Sequence, residues 1–519
     1  MSVQVQSEAI PLTAPSSVAV ARPDGVLDDR SLGELRRRTA QGAVASFVSQ
    51  GASLSLRMVS MVILARLLVP EDFGLVGMVT ALTGFIALFK EAGLSNATIQ
   101  SATITDDQLS ALFWINTALG CCLSLICIAA APAVAAFYRE PRLFSITVTL
   151  GTTFLFTGLA AQHRALLLRS LRIRALAVID IVALLVSIGV SLAMALTGFG
   201  YWALVANAGL LPAGSAVGAW IASAWVPGRP RRTEGLQRMI AYGGTITVNS
   251  VVVYLAYNID KVLLGRFWGA EALGIYGRAY QLLNLPTDTL HQTVGTIAFP
   301  ALSRLQGDPP RLRHYFLTIY RFFLAVALPV TIVCEFFADD VVRVLLGPKW
   351  HEAAAVFRLL APTILVFALI NPLGWLMFAT GEVRRSLKIA VLIMVTAVIG
   401  YTLGLSQGPH GVALGFSIAM TVLTVPIVIW AKHGTLITSR DVFGAALPPL
   451  GSVLLGAAAA LLARPWLGTI EPPLLRLTAT TAVVFGVHLT VLLFAFGQLP
   501  AFMKLLAEAG LWKPRPRET

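Results

Sequence analysis

The sequence predicts an all-α polytopic membrane protein of about 14 transmembrane helices, arranged as two parallel six-helix lobes followed by a C-terminal helix pair. Three observations carry that reading: a composition too poor in charge for a water-soluble fold, apolar windows that recur along most of the chain, and an internal repeat. Of 519 residues, 56% are hydrophobic and only 13% charged, where an average soluble domain carries about 25% charge. The net charge of +13 would suggest nucleic acid on a soluble protein. Here most of the charges sit in short links between apolar runs, so a membrane reading replaces the nucleic-acid one. The four cysteines form no disulfide or metal framework: Cys121, Cys122 and Cys127 share one apolar stretch and Cys334 ends another, as small packing residues do.

Residues 1–40 are polar, lack the apolar core of a secretory signal and end in Arg36, Arg37 and Arg38, which reads as a disordered cytoplasmic tail. The first lobe, 41–228, contains windows near 43–65, 74–97, 109–136, 143–161, 175–196 and 201–225. A second lobe, 229–435, contains windows near 240–263, 272–299, 315–337, 353–379, 387–405 and 411–430. An appended pair within 436–499 spans 443–463 and 475–497, and residues 500–519 form a cytoplasmic tail in which Phe502, Leu505, Leu506 and Trp512 oppose Lys504 and Glu508. That tail has the pattern of an amphipathic surface helix. With both termini cytoplasmic, the loops holding Arg164, Arg169, Arg172 and Arg174, then Arg229, Arg231, Arg232 and Arg238, then Arg304, Arg311 and Arg313 all fall inside, as the positive-inside rule requires.

An offset of 200 residues aligns VILARLLVPEDFGLVG (Val62 to Gly77) with VLLGRFWGAEALGIYG (Val262 to Gly277) without a gap, six of sixteen positions being identical. The matched Arg66/Arg266, Glu71/Glu271, Gly74/Gly274 and Gly77/Gly277 are not apolar filler, so duplication is the better account than chance. Six helices separate equivalent points. The halves therefore enter the membrane in the same direction, the layout of a two-lobed transporter.

Polar stripes mark the interior. In the first window Ser46, Gln50, Ser53, Arg57 and Ser60 recur at three- or four-residue spacing; in the seventh Thr247, Ser250, Tyr254, Tyr257 or Asn258, and Lys261 do so; in the eighth Arg278, Gln281, Asn284, Asp288 and His291 follow. Single serines are ordinary interhelical glue. Three stripes that each carry a cation point instead to a wet cavity. Arg57 lies roughly 13 Å along its helix from Arg66, and Arg278 roughly 10 Å from Glu271, which puts both in the outer half of the membrane. With Arg358 at similar depth, planar guanidinium forks on each lobe suit an anionic substrate. Gln50, Ser53, Gln281 and Asn258 complete the candidate binding set. Ion pairing is the competing reading for each arginine, with Asp180, Asp260, Asp288 and Glu335 available, and Asp180 and Asp260 are the candidates for coupling to Na+ or H+. No strand-associated GxGxxG, P-loop, HExxH or paired-Cys spacing occurs, so no enzyme, metal or cofactor signature is present. The largest outer loop, near 339–352, is short for a sugar-processing enzyme.

At LARLLVPEDFGLVGMVTALTGFIALFKEAGLSNATIQ (Leu64 to Gln100) the chain resembles the polysaccharide-exporter (Wzx-type) flippase branch of the multidrug/oligosaccharidyl-lipid/polysaccharide superfamily. NIDKVLLGRFWGAEALGIYGRAYQLLNLP (Asn258 to Pro286), LFWINTALG and QHRALLLRSLRIRALA are similar to the same branch, and the similarity runs over most of 40–440. The resemblance implies an inner-membrane flippase for undecaprenyl-diphosphate-linked oligosaccharide repeat units in exopolysaccharide or lipopolysaccharide biosynthesis, working by alternating access, with Arg57 and Arg278 on the diphosphate. It implies a glycan polymerase and export machinery as partners, and a complete cavity in one chain does not require a dimer. A drug/cation antiporter of the same superfamily is the alternative, and a membrane-embedded glycan polymerase or ligase a more distant one.

Overall fold

The computed structural model describes residues 49–89, 98–99, 104–229, 251–500 and 502–503. The expected tail at 1–40, Ser46, Thr247, Ser250, and the C-terminal amphipathic stretch apart from Phe502 and Met503 lie outside the described residues. Among the described residues the secondary structure is helical throughout. Nine helical stretches among the described residues are long and apolar enough to cross a membrane. Exposed large apolar residues such as Leu125, Ile126, Val178, Val182, Val186 and Ile221 face outward as they must in hydrocarbon.

Helix α1 covers 49–67 and α2 covers Pro70–Ala87. The elbow between them is written in the sequence. Pro70 occupies the first turn of α2, where a missing N–H costs nothing. Glu71 and Asp72 complement the helix N-terminus, and the Val69 backbone N–H donates to the Asp72 carboxylate at 3.2 Å. The same elbow recurs 200 residues later. After a helix α8 whose described part is 251–256, helix α9 (Ile259–Arg304) is broken at Gly269, the position equivalent to Val69, whose φ of 83° suits glycine alone.

The two elbows meet reciprocally. A Cβ on Gly74 would lie 1.7 Å from the Ala270 carbonyl oxygen, and one on Gly274 would lie 1.9 Å from that of Pro70. Residue 74 touches 270 while 274 touches 70, which is the signature of an isologous two-fold contact. The offset found in the sequence is thus a pseudo-symmetry operator in three dimensions.

In the first half, α3 (Asp106–Tyr138), α4 (Arg142–Gly151), α5 (Thr153–Arg169), α6 (Ile173–Leu196) and α7 (Tyr201–Ser223) follow α2. Thr105 starts α3 with a capping box: Gln108 N donates to the Thr105 hydroxyl at 3.3 Å and Thr105 N donates to the Gln108 side chain at 3.0 Å. In the second half come α10 (Pro309–Phe336), α11 (Ala338–Leu345), α12 (His351–Leu360), α13 (Pro362–Ala379), α14 (Val383–Gly404) and α15 (Gly408–Ala431). One apolar core runs from Met61 on α1 through the second half to Val484, so the halves share it.

The appended pair, α16 (Ser439–Leu462) and α17 (Pro473–Thr490), is fastened to the second half at three levels. Arg313 Nε donates to Asp441 at 2.9 Å near one end, and Arg476 Nε donates to Asp340 at 2.9 Å near the other. Between them the His488 ring joins Ser452 Oγ at 2.9 Å to the Ala325 carbonyl at 2.9 Å.

Candidate binding cavity

A cavity of about 750 Å³ lies between the halves, walled by α1, α2, α6, α7 and α9. Along α9 its wall runs from Leu273 and Gly274 to Gln292, roughly 27 Å at 1.5 Å per residue. Arg57, Lys261 and Arg278 bring three cations to it, and Asp288 brings one carboxylate. Asn207, Gln281, Asn284 and Thr80 add uncharged polar groups, while Leu54, Leu64 and Leu184 are apolar. A mostly apolar concavity with a few converging polar groups is the ordinary form of a ligand site.

Each cation is held differently. The Arg278 guanidinium stacks on the Phe73 ring with its carbon 3.9 Å from the centroid, and it donates to Gln281 Oε1. Stacking fixes the plane of the fork and leaves its other donors free for an anion. Lys261 Nζ donates to Asn258 Oδ1 at 2.6 Å and sits 5.5 Å from the Tyr280 ring centroid. Arg57 is exposed on the cavity and has no ion-pair partner among the described residues. With one carboxylate against three cations, the site attracts anions.

The elbow end of the cavity is shut by segments that cross between halves. Trp350, fully buried, donates from Nε1 to the Ala65 carbonyl at 2.7 Å and meets Phe73 edge-on at 5.3 Å. Arg66 donates to the Val344 carbonyl at 2.8 Å. On the symmetric side, Arg266 lies over the Phe137 ring at 5.6 Å. Close by, Arg142 binds Glu71 at 2.6 Å and Glu140 at 2.8 Å. The hydrogen bonds from Arg142 hold the Glu140 carboxyl below the usual carboxylate range.

The structure therefore brings Arg57, Arg278 and Gln281 together on one cavity. Gln50 and Ser53 lie further along α1, beyond the lining residues. Asn258 holds Lys261 rather than forming the wall. Arg358 pairs with Asp339 at 2.5 Å away from the cavity, both side chains well exposed. Of the two candidate coupling residues, Asp180 accepts two bonds from Arg164, at 2.7 and 3.1 Å, which accounts for its charge. Asp260 is fully buried beside the cavity, where the Tyr276 hydroxyl is its side-chain neighbour, and it forms no ion pair among the described residues. Lys261, Phe73 and Asn207 were missing from the sequence-derived site. Lys261 already stood in a polar stripe, whereas nothing in the local pattern marks Phe73 as the platform under Arg278.

These features define a two-fold, two-lobed membrane transporter fold with an anion-attracting central cavity. The sequence profile of the family described as polysaccharide biosynthesis protein matches residues 63–355, more than half of the chain, and the chain belongs to that family. It is 28% identical over 302 residues to the teichuronic acid biosynthesis protein TuaB of Bacillus subtilis (strain 168), covering 58% of this chain and 62% of that one. It is 26% identical over 400 residues to the lipopolysaccharide biosynthesis protein WzxC of Escherichia coli (strain K12), covering 75% and 80% respectively. Among solved structures, the inward closed conformation of the lipid II flippase MurJ superposes with a TM-score of 0.68 at 14% identity, covering 88% of this chain and 99% of that one. An inward-facing multidrug resistance MATE family transporter superposes at 0.59, covering 73% and 94%. At these identities the structural likeness establishes the all-α polytopic fold.

Proposed function

We propose that the protein flips undecaprenyl-diphosphate-linked oligosaccharide repeat units across the cytoplasmic membrane for exopolysaccharide or lipopolysaccharide biosynthesis. The observation that carries this reading is the cavity with Arg57, Lys261 and Arg278 gathered from both halves. Forked donors and an ammonium suit the clustered oxygens of a diphosphate. The names of the relatives support the same class of cargo: a teichuronic acid biosynthesis protein, a lipopolysaccharide biosynthesis protein and, at 24% identity over 325 residues, the succinoglycan biosynthesis transport protein ExoT of Rhizobium meliloti (strain 1021). A cation-exporting antiporter fits less well, because a cation would meet three like charges.

In this reading the elbow end faces outward and both termini are cytoplasmic, an orientation that the arginine-rich loops support. The headgroup enters the cavity from the cytoplasmic side while the isoprenoid tail stays in the bilayer. The diphosphate draws Arg57 of one half toward Lys261 and Arg278 of the other. The halves then rock about the shared elbow contact, the Trp350 closure releases and the cavity opens outward. The cargo shifts the equilibrium only through its different affinity for the two states. Asp260 is the better of the two coupling candidates for Na+ or H+, since the carboxylate of Asp180 is already paired. One chain contains the whole cavity and works as a monomer that hands its product to a glycan polymerase.

The test is export of the glycan in a deletion strain complemented with variants. Arg57→Ala and Arg278→Ala each lower export at least tenfold at equal membrane abundance, with lipid-linked glycan accumulating on the cytoplasmic side. Full export by both variants would overturn the assignment.

A further inference from the structure

From Arg278, the polar residues Gln281, Asn284, Asp288 and Gln292 follow at three- and four-residue steps on one face of α9, and all line the cavity. Counted along the helices from Gly269, Lys261 and Arg278 lie at roughly 12–13 Å, and Arg57 lies at roughly 18 Å from the equivalent Val69. Asn284, Asp288 and Gln292 lie at roughly 22, 28 and 34 Å on the same scale. Charge is therefore sorted by depth. A belt of cations sits near the elbow, and a strip of amides with one carboxylate continues toward the other end.

The duplication shows that the strip is not needed to build the helix. At the offset of 200 residues, Gln281, Asn284 and Asp288 correspond to Ala81, Gly84 and Leu88, and Arg278 to Met78. The first half makes the same elbow and a descending helix, α2, with Met78, Ala81 and Gly84 along it and Leu88 just past its end. Nor does internal bonding account for the whole strip, since Asp288 and Gln292 make no hydrogen bond or ion pair with a described residue. Asp288 itself lies about 15 Å further along the helix than Arg278, clear of the cations that would hold the diphosphate.

Resting on the flippase reading above, we infer that this strip of α9 is the glycan-reading surface, recognising sugar hydroxyls or an amino-sugar nitrogen while the cation belt holds the diphosphate. Amides offer both donors and acceptors, and a carboxylate accepts from two neighbouring hydroxyls, which is the complement of a sugar edge. A site built to hydrogen-bond a group discriminates strongly against cargo that lacks it, because its own polar groups are then left unpaired. Specificity among lipid-linked glycans is thus set by the second half, and affinity for the lipid diphosphate by both.

The experiment uses the full-length purified protein in nanodiscs and two probes: undecaprenyl diphosphate, and the undecaprenyl-linked glycan extracted from cells in which this protein's gene is deleted. Wild type binds the glycan-bearing lipid at least tenfold more tightly. Asp288→Leu, which copies the first-half residue, and Gln292→Ala each bring the ratio of the two affinities to about two by weakening the glycan-bearing lipid, and their melting temperatures confirm that they fold. Arg57→Ala weakens both probes. If wild type does not bind undecaprenyl diphosphate, the flippase reading itself fails. If it binds but shows no preference for the glycan, or if both strip variants keep the wild-type ratio, the glycan-reading assignment is overturned and the flippase reading stands.

Discussion

Helix α2 and the part of α9 that runs from Ala270 share a backbone course and a symmetric contact at Gly74 and Gly274, and they differ in almost everything that projects from it. The first-half helix supplies Phe73, the aromatic platform; the second-half helix supplies Arg278, the cation that lies on it. Equivalent positions 61 and 261 hold Met and Lys, and 57 and 257 hold Arg and Tyr. Duplication thus supplied a two-fold frame at the elbow, while the cavity within it became asymmetric. Features at the elbow should then tolerate little change in either half, and cavity features should matter in one half only.

The closures at the elbow end give the largest expected contrast. Trp350 is fully buried and hydrogen-bonded to Ala65, whereas Phe137 is an exposed ring against Arg266. Trp350→Ala is expected to cost about 3–5 kcal/mol through lost packing, and Phe137→Ala about 1 kcal/mol or less. Thermal unfolding in detergent measures both. A membrane-impermeant maleimide should also label a cysteine placed at Leu64, in a background freed of native cysteines, faster when Trp350 is Ala. Equal melting temperatures for the two variants would remove the asymmetry between the closures.

The glycine pair comes next and tests the symmetry. A Cβ at either position would run into a backbone carbonyl, which no rotamer change relieves. Gly74→Ala and Gly274→Ala should each destabilise by about 1–3 kcal/mol, the usual range for overpacking, and by similar amounts. Gly277 is the control, since nothing lies within 4 Å of its Cβ position; Gly277→Ala should be neutral or slightly stabilising as a helix former replaces glycine. A large difference between the Gly74 and Gly274 variants would show that the two-fold contact is not energetically two-fold.

These contrasts also mark what the sequence made legible. Apolar windows and the repeat are local or periodic signals, so the helices, the duplicated elbow and the gathering of Arg57, Arg278 and Gln281 on one cavity could be read from spacing. Pairings that depend on how helices lean could not. Arg358 meets Asp339 across a short turn, and Asp180 meets Arg164 from the preceding helix; depth puts Arg358 level with the cavity arginines, only its reach to the membrane surface ranks it behind them, and an ion pair for Asp180 is foreseeable while its partner is not. Phe73 directly follows Asp72 in the first turn of α2, and an aromatic residue there carries no mark of the guanidinium above it. Trp350 lies in a short loop between α11 and α12, and its reach to Ala65, 285 residues earlier in the chain, leaves no periodic trace.

The smallest effect expected is electrostatic and again concerns only one half. Glu71 is tied by Arg142, which Glu140 also grips, while the equivalent Glu271 is exposed and has no ion-pair partner among the described residues. Because Arg142 lowers the Glu140 pKa in the folded protein, the contribution of Glu140 is present above the unfolded glutamate value of about 4.3 and is lost as pH falls through the folded value. Melting temperature should therefore fall between about pH 5 and pH 3 more steeply in wild type than in Glu140→Gln, where that proton-linked term is gone. Exposed ion pairs contribute little, so the difference should be a degree or two at low salt and shrink as salt is added. A slope as steep in Glu140→Gln as in wild type would show that the Arg142 tether at the first elbow makes no proton-linked contribution.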